Sequence, residues 1–154
     1  MSGLRITRVC ITDVGVLRGR VDLGTFDPGI TLITGGNETG KTTAVNALRC
    51  AFFERHKTTN QSVRKLKPHG DPDAMPEVEV DFEQDGHAYS LVKRFHPRKG
   101  EAILRIDGGT PLTGDAANEK VWEILGSNAP SSRGAKCEDM GLWGVLWVSQ
   151  DEAA

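Results

Sequence analysis

The chain has 154 residues, of which 38% are hydrophobic and 26% charged, with a net charge of -2. That is one ordinary globular domain with a single core. No apolar stretch is long enough to cross a bilayer, the N-terminus lacks the layout of a signal peptide, and Cys10, Cys50 and Cys137 are too scattered for a disulfide frame or a zinc site. The expectation is a cytoplasmic protein with reduced thiols and no membrane partner.

In chain order, residues 4–11 alternate apolar and polar side chains, the pattern of a half-buried strand, and a second extended run passes through Leu17, Val21 and Leu23. Phe26-Asp27-Pro28-Gly29 is turn chemistry and feeds a third apolar run, Ile30-Thr31-Leu32-Ile33-Thr34, read as a strand. Directly after it comes Gly35-Gly36-Asn37-Glu38-Thr39-Gly40-Lys41-Thr42-Thr43, which matches the P-loop (Walker A) pattern G-x-x-x-x-G-K-[ST]. Residues 42–54 then have helical spacing. Val45, Leu48 and Phe52, with Ala44, Ala47 and Ala51 beside them, are expected to face a sheet, while Asn46, Arg49 and Glu54 face away.

Residues 56–76 contain two prolines and a glycine and read as an ordered or semi-ordered loop. From Glu77 the period becomes two: Val78, Val80 and Phe82 alternate with acidic residues, and Asp85-Gly86 is a hairpin turn signal. Return strands through Tyr89 and Leu91, and from Ala102 to Ile106, complete a three-stranded antiparallel meander. Asp115 is a plausible N-cap for a helix carrying Val121, Ile124 and Leu125, stopped by Gly126. Residues 127–138 have loop composition. The segment from Gly144 to Gln150 reads as a strand, and Trp143 and Trp147 read as core.

The loop pattern carries the chemistry. A strand, a glycine turn and a helix start place the backbone N–H groups of Gly36 to Thr42 around a β-phosphate, with the positive end of the helix dipole behind them. Lys41 reaches the β- and γ-phosphates, Thr42 offers its hydroxyl to Mg²⁺, and Thr43 is placed for the α-phosphate. Nucleotide contacts are therefore expected from Gly35, Gly36, Asn37, Glu38, Thr39, Gly40, Lys41, Thr42 and Thr43. Asn37 and Glu38 serve loop geometry and are not needed by the phosphates themselves.

At the other end, Gln150 follows an apolar run and is read as facing the metal and γ-phosphate, where it would orient the attacking water. The alternative is an apolar edge strand with an incidental polar end. Local basic runs raise a further question, since Arg55, Lys57, Arg64, Lys65 and Lys67 fall in a stretch without acidic residues, and Lys93, Arg94, Arg98 and Lys99 form a second cluster. Two readings stay open for them: solvated loops and strand ends, or contact with a nucleic-acid backbone.

The string from Phe26 to Ile33, the glycine loop, and Leu48-Arg49-Cys50-Ala51-Phe52-Phe53 together resemble the N-terminal lobe of SMC-like ABC ATPases. This is the class of SMC, RecF, RecN and SbcC heads, and the Asn37-Glu38 pair is most like its YhaN-type AAA group. Gly144-Val145-Leu146-Trp147-Val148-Ser149-Gln150 resembles the Q-loop strand of that class. The resemblance covers nearly the whole chain and implies an α/β fold: a P-loop NTPase, the N-terminal lobe of an ABC/SMC head, with an added antiparallel β meander. It also implies ATP and Mg²⁺ as cofactors, Lys41 and Gln150 as catalytic positions, and Thr42 and Gln150 near the metal. The implied role is DNA repair or chromosome maintenance; under the nucleic-acid reading of the basic stretch, DNA is met through Arg55, Lys57, Arg64, Lys65 and Lys67.

Two departures from the family stand out. Residues 12–19 lack the Asn-Phe-Arg-like string that family members carry near the end of the first strand. The Leu-Ser-Gly-Gly signature, a Walker B strand and a switch histidine are not among the 154 residues. Residues 1–154 are accordingly expected to form one incomplete lobe: a fragment, a truncated product, or a unit completed by a C-terminal ATPase lobe or a second head on the same or another chain. Alone it is expected to bind ATP with little or no turnover. Two alternatives from other classes are a free-standing P-loop kinase or GTPase, and a non-catalytic interaction module with a vestigial nucleotide site.

Overall fold

In the computed structural model, which describes residues 3–147, one six-stranded sheet carries the molecule, with strands β1 (Arg5–Val14), β2 (Leu17–Thr25), β3 (Glu77–Gln84), β4 (His87–Arg94), β5 (Glu101–Ile106) and β6 (Leu112–Thr113). Their order is β2-β1-β3-β4-β5-β6 and every pair is antiparallel. Alternation along β3 shows why. Val78, Val80 and Phe82 are buried on one face, while Glu77, Glu79 and Asp81 look the other way. In register across four strands, Val9, Val80, Leu91 and Leu104 form a ladder of buried aliphatic side chains. On the opposite face Arg20 pairs with Glu79, Arg94 with Glu77 and Glu101, and Arg8 with Asp22.

Helices α1 (Lys41–Phe53) and α3 (Asp115–Leu125) cover the apolar face of the sheet. Phe52 meets Phe82 edge-on at 5.4 Å, and Phe82 stacks on Tyr89 at 4.9 Å. The expected meander is present, and Asp85 and Gly86 both take positive φ at its first turn. Helix α3 begins one residue after its N-cap, Gly114, so Asp115 is its first residue, and Gly126 closes it in the left-handed region. A single short turn, α2 (Gln61–Arg64), interrupts the loop expected over residues 56–76. Among the described residues no helix is long and apolar enough to cross a membrane.

Four local expectations are corrected. Residues 30–34 form no strand, and Ile30 is fully exposed while Leu32 is 82% exposed. An apolar run becomes a strand only where neighbours supply its hydrogen bonds, and none of the six strands lies beside this one. In α1 Ala44, Ala47, Ala51 and Phe52 are buried as expected and Cys50 and Phe53 join them, but Val45 is exposed and Leu48 only half-buried. The helix lies close to the sheet through small side chains, which turns Glu54 inward. Third, Lys93 is not a solvated cation but is fully buried, and Arg94 is tied to two carboxylates. Fourth, residues 142–146 are helical (α4, Leu142–Leu146), not part of a strand; residues 148–150 lie outside the described residues. Trp143 and Trp147 do pack on the core, with Trp143 Nε1 donating to the Leu125 carbonyl at 2.9 Å and the Trp147 ring edge-on to Phe53.

Cys10 and Cys50 are buried and Cys137 is exposed. Burial pushes both inner thiols up, Cys50 to about 12 with help from the neighbouring Glu54. A thiol-specific reagent is therefore expected to label one cysteine rapidly in the native protein and the other two only after unfolding. Three equivalents reacting at one rate under native conditions would contradict this packing.

Candidate functional site

The glycine loop is held by the turn between β1 and β2. Gly40 ends the loop at φ 94°, and a Cβ there would lie 2.8 Å from the Leu17 side chain. At the turn itself Gly15 has φ 58°, and a Cβ would meet Thr43 at 2.8 Å. Both contacts need glycine, one for the loop's left-handed exit and one for the close approach of the hairpin to the first turn of α1. Gly15 N–H also donates to the Leu66 carbonyl at 2.8 Å, so the hairpin joins the loop to the segment after α2.

At the start of α1 the first intrahelical bond runs from Ala44 N–H to the Gly40 carbonyl at 2.9 Å. The N–H groups of Lys41, Thr42 and Thr43 precede it and have no intrahelical acceptor. The helix has no side-chain cap and no acidic residue in its first turn. Protein helices usually satisfy this end with a hydroxyl or carboxylate from their own chain. Here it opens into a cavity of about 720 Å³ lined by Val16, Asn37, Glu38, Gly40, Lys41, Thr42 and Thr43.

Lys41 Nζ folds back over the loop, donating to the Gly35 carbonyl at 2.6 Å and to that of Gly36. Thr39 Oγ1 donates to Gly36 O at 2.8 Å. Thus Gly35, Gly36, Thr39 and Lys41 form one hydrogen-bonded knot, with Asn37 and Glu38 at its outer bend. Glu38 takes the left-handed conformation at φ 62°. The donor set fits a polyphosphate: free N–H groups, a helix N-terminus and one ammonium with no carboxylate partner among the described residues. Gln150 lies outside the described residues, so its place relative to Lys41 and Thr42 is not described. Among the described residues no group of three His, Cys, Asp or Glu side chains could hold a metal.

A second polar assembly, missed in the sequence, lies where α1 ends. Glu54 is fully buried, with Oε2 accepting from Asn60 Nδ2 at 2.6 Å and Oε1 accepting from Ala135 N–H at 3.0 Å. Its carbonyl accepts from Lys93 Nζ at 2.8 Å, at the C-terminal end of the helix. Asn60 in turn caps α2 by accepting from Val63 N–H at 3.0 Å. One carboxylate thereby ties together α1, the basic segment and the loop near residue 135. Close by, Asn118 Nδ2 and His56 Nδ1 lie 2.7 Å apart, and burial lowers the His56 pKa, so the neutral ring accepts this bond.

Burial lowers Lys93 to about 7, against the raising influence of Cys50 and Glu54. Its unfolded value is 10.5, so the folded protein binds fewer protons in that interval and stability rises with pH from about 7 towards 10.5. Cys50 has the opposite sign. Its folded value of about 12 exceeds 9.0, so stability falls as pH climbs above 9. Each slope is at most about 1.4 kcal/mol per pH unit. The urea midpoint is expected to rise between about pH 7 and 9, then level off where the two slopes oppose. Lys93→Met should flatten the rise. A parent midpoint constant from about pH 7 to 9 would refute this account of Lys93.

The five cations singled out in the basic stretch do not form one surface run. Arg64, Lys65 and Lys67 line an open groove of about 550 Å³ with His69, beside the carbonyl that Arg18 Nη2 binds at 3.1 Å. Arg55 and Lys57 line a different cavity, on the side where residues 130–132 approach. None of the five has a carboxylate partner among the described residues, in contrast to Arg5, Arg8, Arg20 and Arg94 on the sheet.

Comparison with known proteins identifies the family and the fold. Residues 16–136 match the AAA domain family AAA_23. An uncharacterised protein of Mycobacterium tuberculosis is 28% identical over 148 residues, 96% of this chain and 16% of its own length. The Rad50 ATPase of Thermoplasma volcanium, described as a DNA double-strand break repair protein, is 35% identical over 112 residues, 67% of this chain and 12% of that protein. The chain thus spans less than a fifth of these relatives. A solved structure of an SMC ATPase, described in terms of ATP-driven dimerisation and DNA-stimulated activation, superposes with a TM-score of 0.61 at 17% identity, covering 96% of this chain and 87% of that one. The chain belongs to the AAA domain family and has the fold of an SMC-like ATPase head's N-terminal lobe.

Proposed function

We propose that this chain is the ATP- and Mg²⁺-binding half of an SMC-like ATPase head, serving DNA repair or chromosome maintenance in the cytoplasm. The observation that carries the reading is the uncapped start of α1, where three free N–H groups and Lys41 face one cavity beneath the glycine loop. Triphosphate oxygens replace the Gly35 and Gly36 carbonyls as acceptors for Lys41, and the Thr42 hydroxyl turns towards the metal. Mg²⁺, when bound, neutralises β- and γ-phosphate charge. Gln150 belongs to the same site as the group that orients water at the γ-phosphate. Gln150→Ala should weaken binding of Mg·ATP more than that of ADP, and equal losses for both would remove it from the site.

Turnover needs a C-terminal lobe or a second head. Ile30 and Leu32 support this, because their exposure leaves an apolar segment beside the nucleotide site without the strands that would bury it. The five cations without a carboxylate partner among the described residues support DNA as a further partner, through phosphate contacts that weaken steeply with salt. ATP hydrolysis is expected to be near background for the chain alone and to rise at least tenfold when the remaining segments of a full-length relative are supplied. Full activity of the isolated chain would overturn the half-site reading and favour a free-standing enzyme.

A further inference from the structure

We infer that the cavity formed by Arg55, Lys57, Thr58, Thr59, Ser131 and Ser132 is a phosphate cradle, and that a nucleic-acid backbone supplies the phosphate. This rests on the DNA reading above but assigns it a built site, completed by a loop some 75 residues away from the basic stretch. The cavity measures about 390 Å³, and its other walls are Glu54 and Pro130.

Three observations select an anion. First, the cations are available: neither Arg55 nor Lys57 has a carboxylate partner among the described residues, and the Arg55 guanidinium is held 5.1 Å from the centre of the Trp122 ring. Stacking on a buried ring fixes the fork before a ligand arrives, so less side-chain freedom is lost on binding. Second, four hydroxyls line the space. Thr58 Oγ1 accepts from Asn60 N–H at 3.3 Å, which leaves its proton free to donate, and Thr59 and Ser132 have no hydrogen-bond partner among the described residues. Ser131 Oγ alone is occupied, donating to the Gly134 carbonyl at 3.2 Å. Third, the one carboxylate in the wall is spent. Both oxygens of Glu54 accept hydrogen bonds from the protein, and Lys93 sits behind it.

A phosphodiester suits this set better than a carboxylate or a flat base. It offers two oxygens to several donors at once, and no exposed aromatic ring is present for stacking among the described residues. Since Glu54 joins the segment 55–60 to residue 135, the two halves of the cradle are held in one frame.

The test follows backbone amide resonances of the whole 154-residue chain on addition of inorganic phosphate, and separately of a short DNA duplex. Both are expected to shift Thr58, Thr59, Ser131 and Ser132. Ser132→Ala should weaken duplex binding about fivefold, and Lys57→Ala should reduce the slope of log affinity against log salt by about 0.9. If phosphate moves these amides and the duplex binds nowhere, the cradle stands and its nucleic-acid source is overturned, together with the DNA reading. If the duplex binds, loses affinity in Lys65→Ala, and leaves these four amides unmoved, the cradle is overturned while the DNA reading survives. If neither probe shifts them, the inference fails outright.

Discussion

Glu54→Ala is expected to destabilise the domain by about 3–5 kcal/mol, the cost of breaking a buried charged network on one side. The fully buried carboxylate accepts from Asn60 Nδ2 at 2.6 Å and from Ala135 N–H at 3.0 Å, and the variant leaves both donors unpaired. Lys93 would lose its nearby negative charge as well. For a domain of this size the loss corresponds to a drop in Tm on the order of 10 °C. Glu54→Gln keeps one acceptor oxygen and the volume, so its loss should be smaller. A thermal scan in which Glu54→Ala melts within about 2 °C of the parent would show that the network contributes little. Because Glu54 anchors the cap of α2 through Asn60, the same variant is also expected to loosen residues 55–65 before the sheet melts, visible as faster amide exchange there.

Much of the sheet could be read from the sequence, since its strands state their own burial. In β3 each apolar residue is followed by an acidic one, and the parity that buries Val78, Val80 and Phe82 fixes the register with β4. Asp85-Gly86 encodes its turn by itself. The glycine loop and the helix after it were equally legible, because loop and helix start are local features.

Features that depend on contacts between distant segments were not. Residues 30–34 have strand composition, yet composition cannot supply the neighbouring strands that such a segment needs. The inward turn of Glu54 did leave a signal: with Ala47, Cys50 and Ala51 it continues one helical stripe, which the larger Val45 and Leu48 concealed. Lys93 left one too, sharing parity with Leu91 in β4 and with Phe95 just beyond it. In both cases the residue type by itself points to solvent. Its partner, Lys93 for the Glu54 carbonyl, lies 39 residues away and could not be found by spacing. The hydroxyls at 131 and 132 were hidden in the same way, as loop composition far from the cations they join.

Lys41→Ala carries the largest expected effect on ligand binding. Its ammonium has no carboxylate partner among the described residues and is held only by two carbonyls of the loop it would serve, a bond to Gly35 at 2.6 Å and one to Gly36. Removing it deletes charge-assisted bonds to two phosphates, together worth about a hundredfold in affinity. The cost to the fold should stay within about 0.5 kcal/mol, since Lys41 takes no part in the hydrophobic core. Calorimetric titration of the 154-residue chain with Mg·ATP, beside the Lys41→Ala variant with its melting checked, tests the central claim most directly. The account predicts saturable one-site binding by the parent and a loss of about a hundredfold in the variant at unchanged Tm; equal affinities for the two proteins, or no heat of binding from the parent, would contradict it.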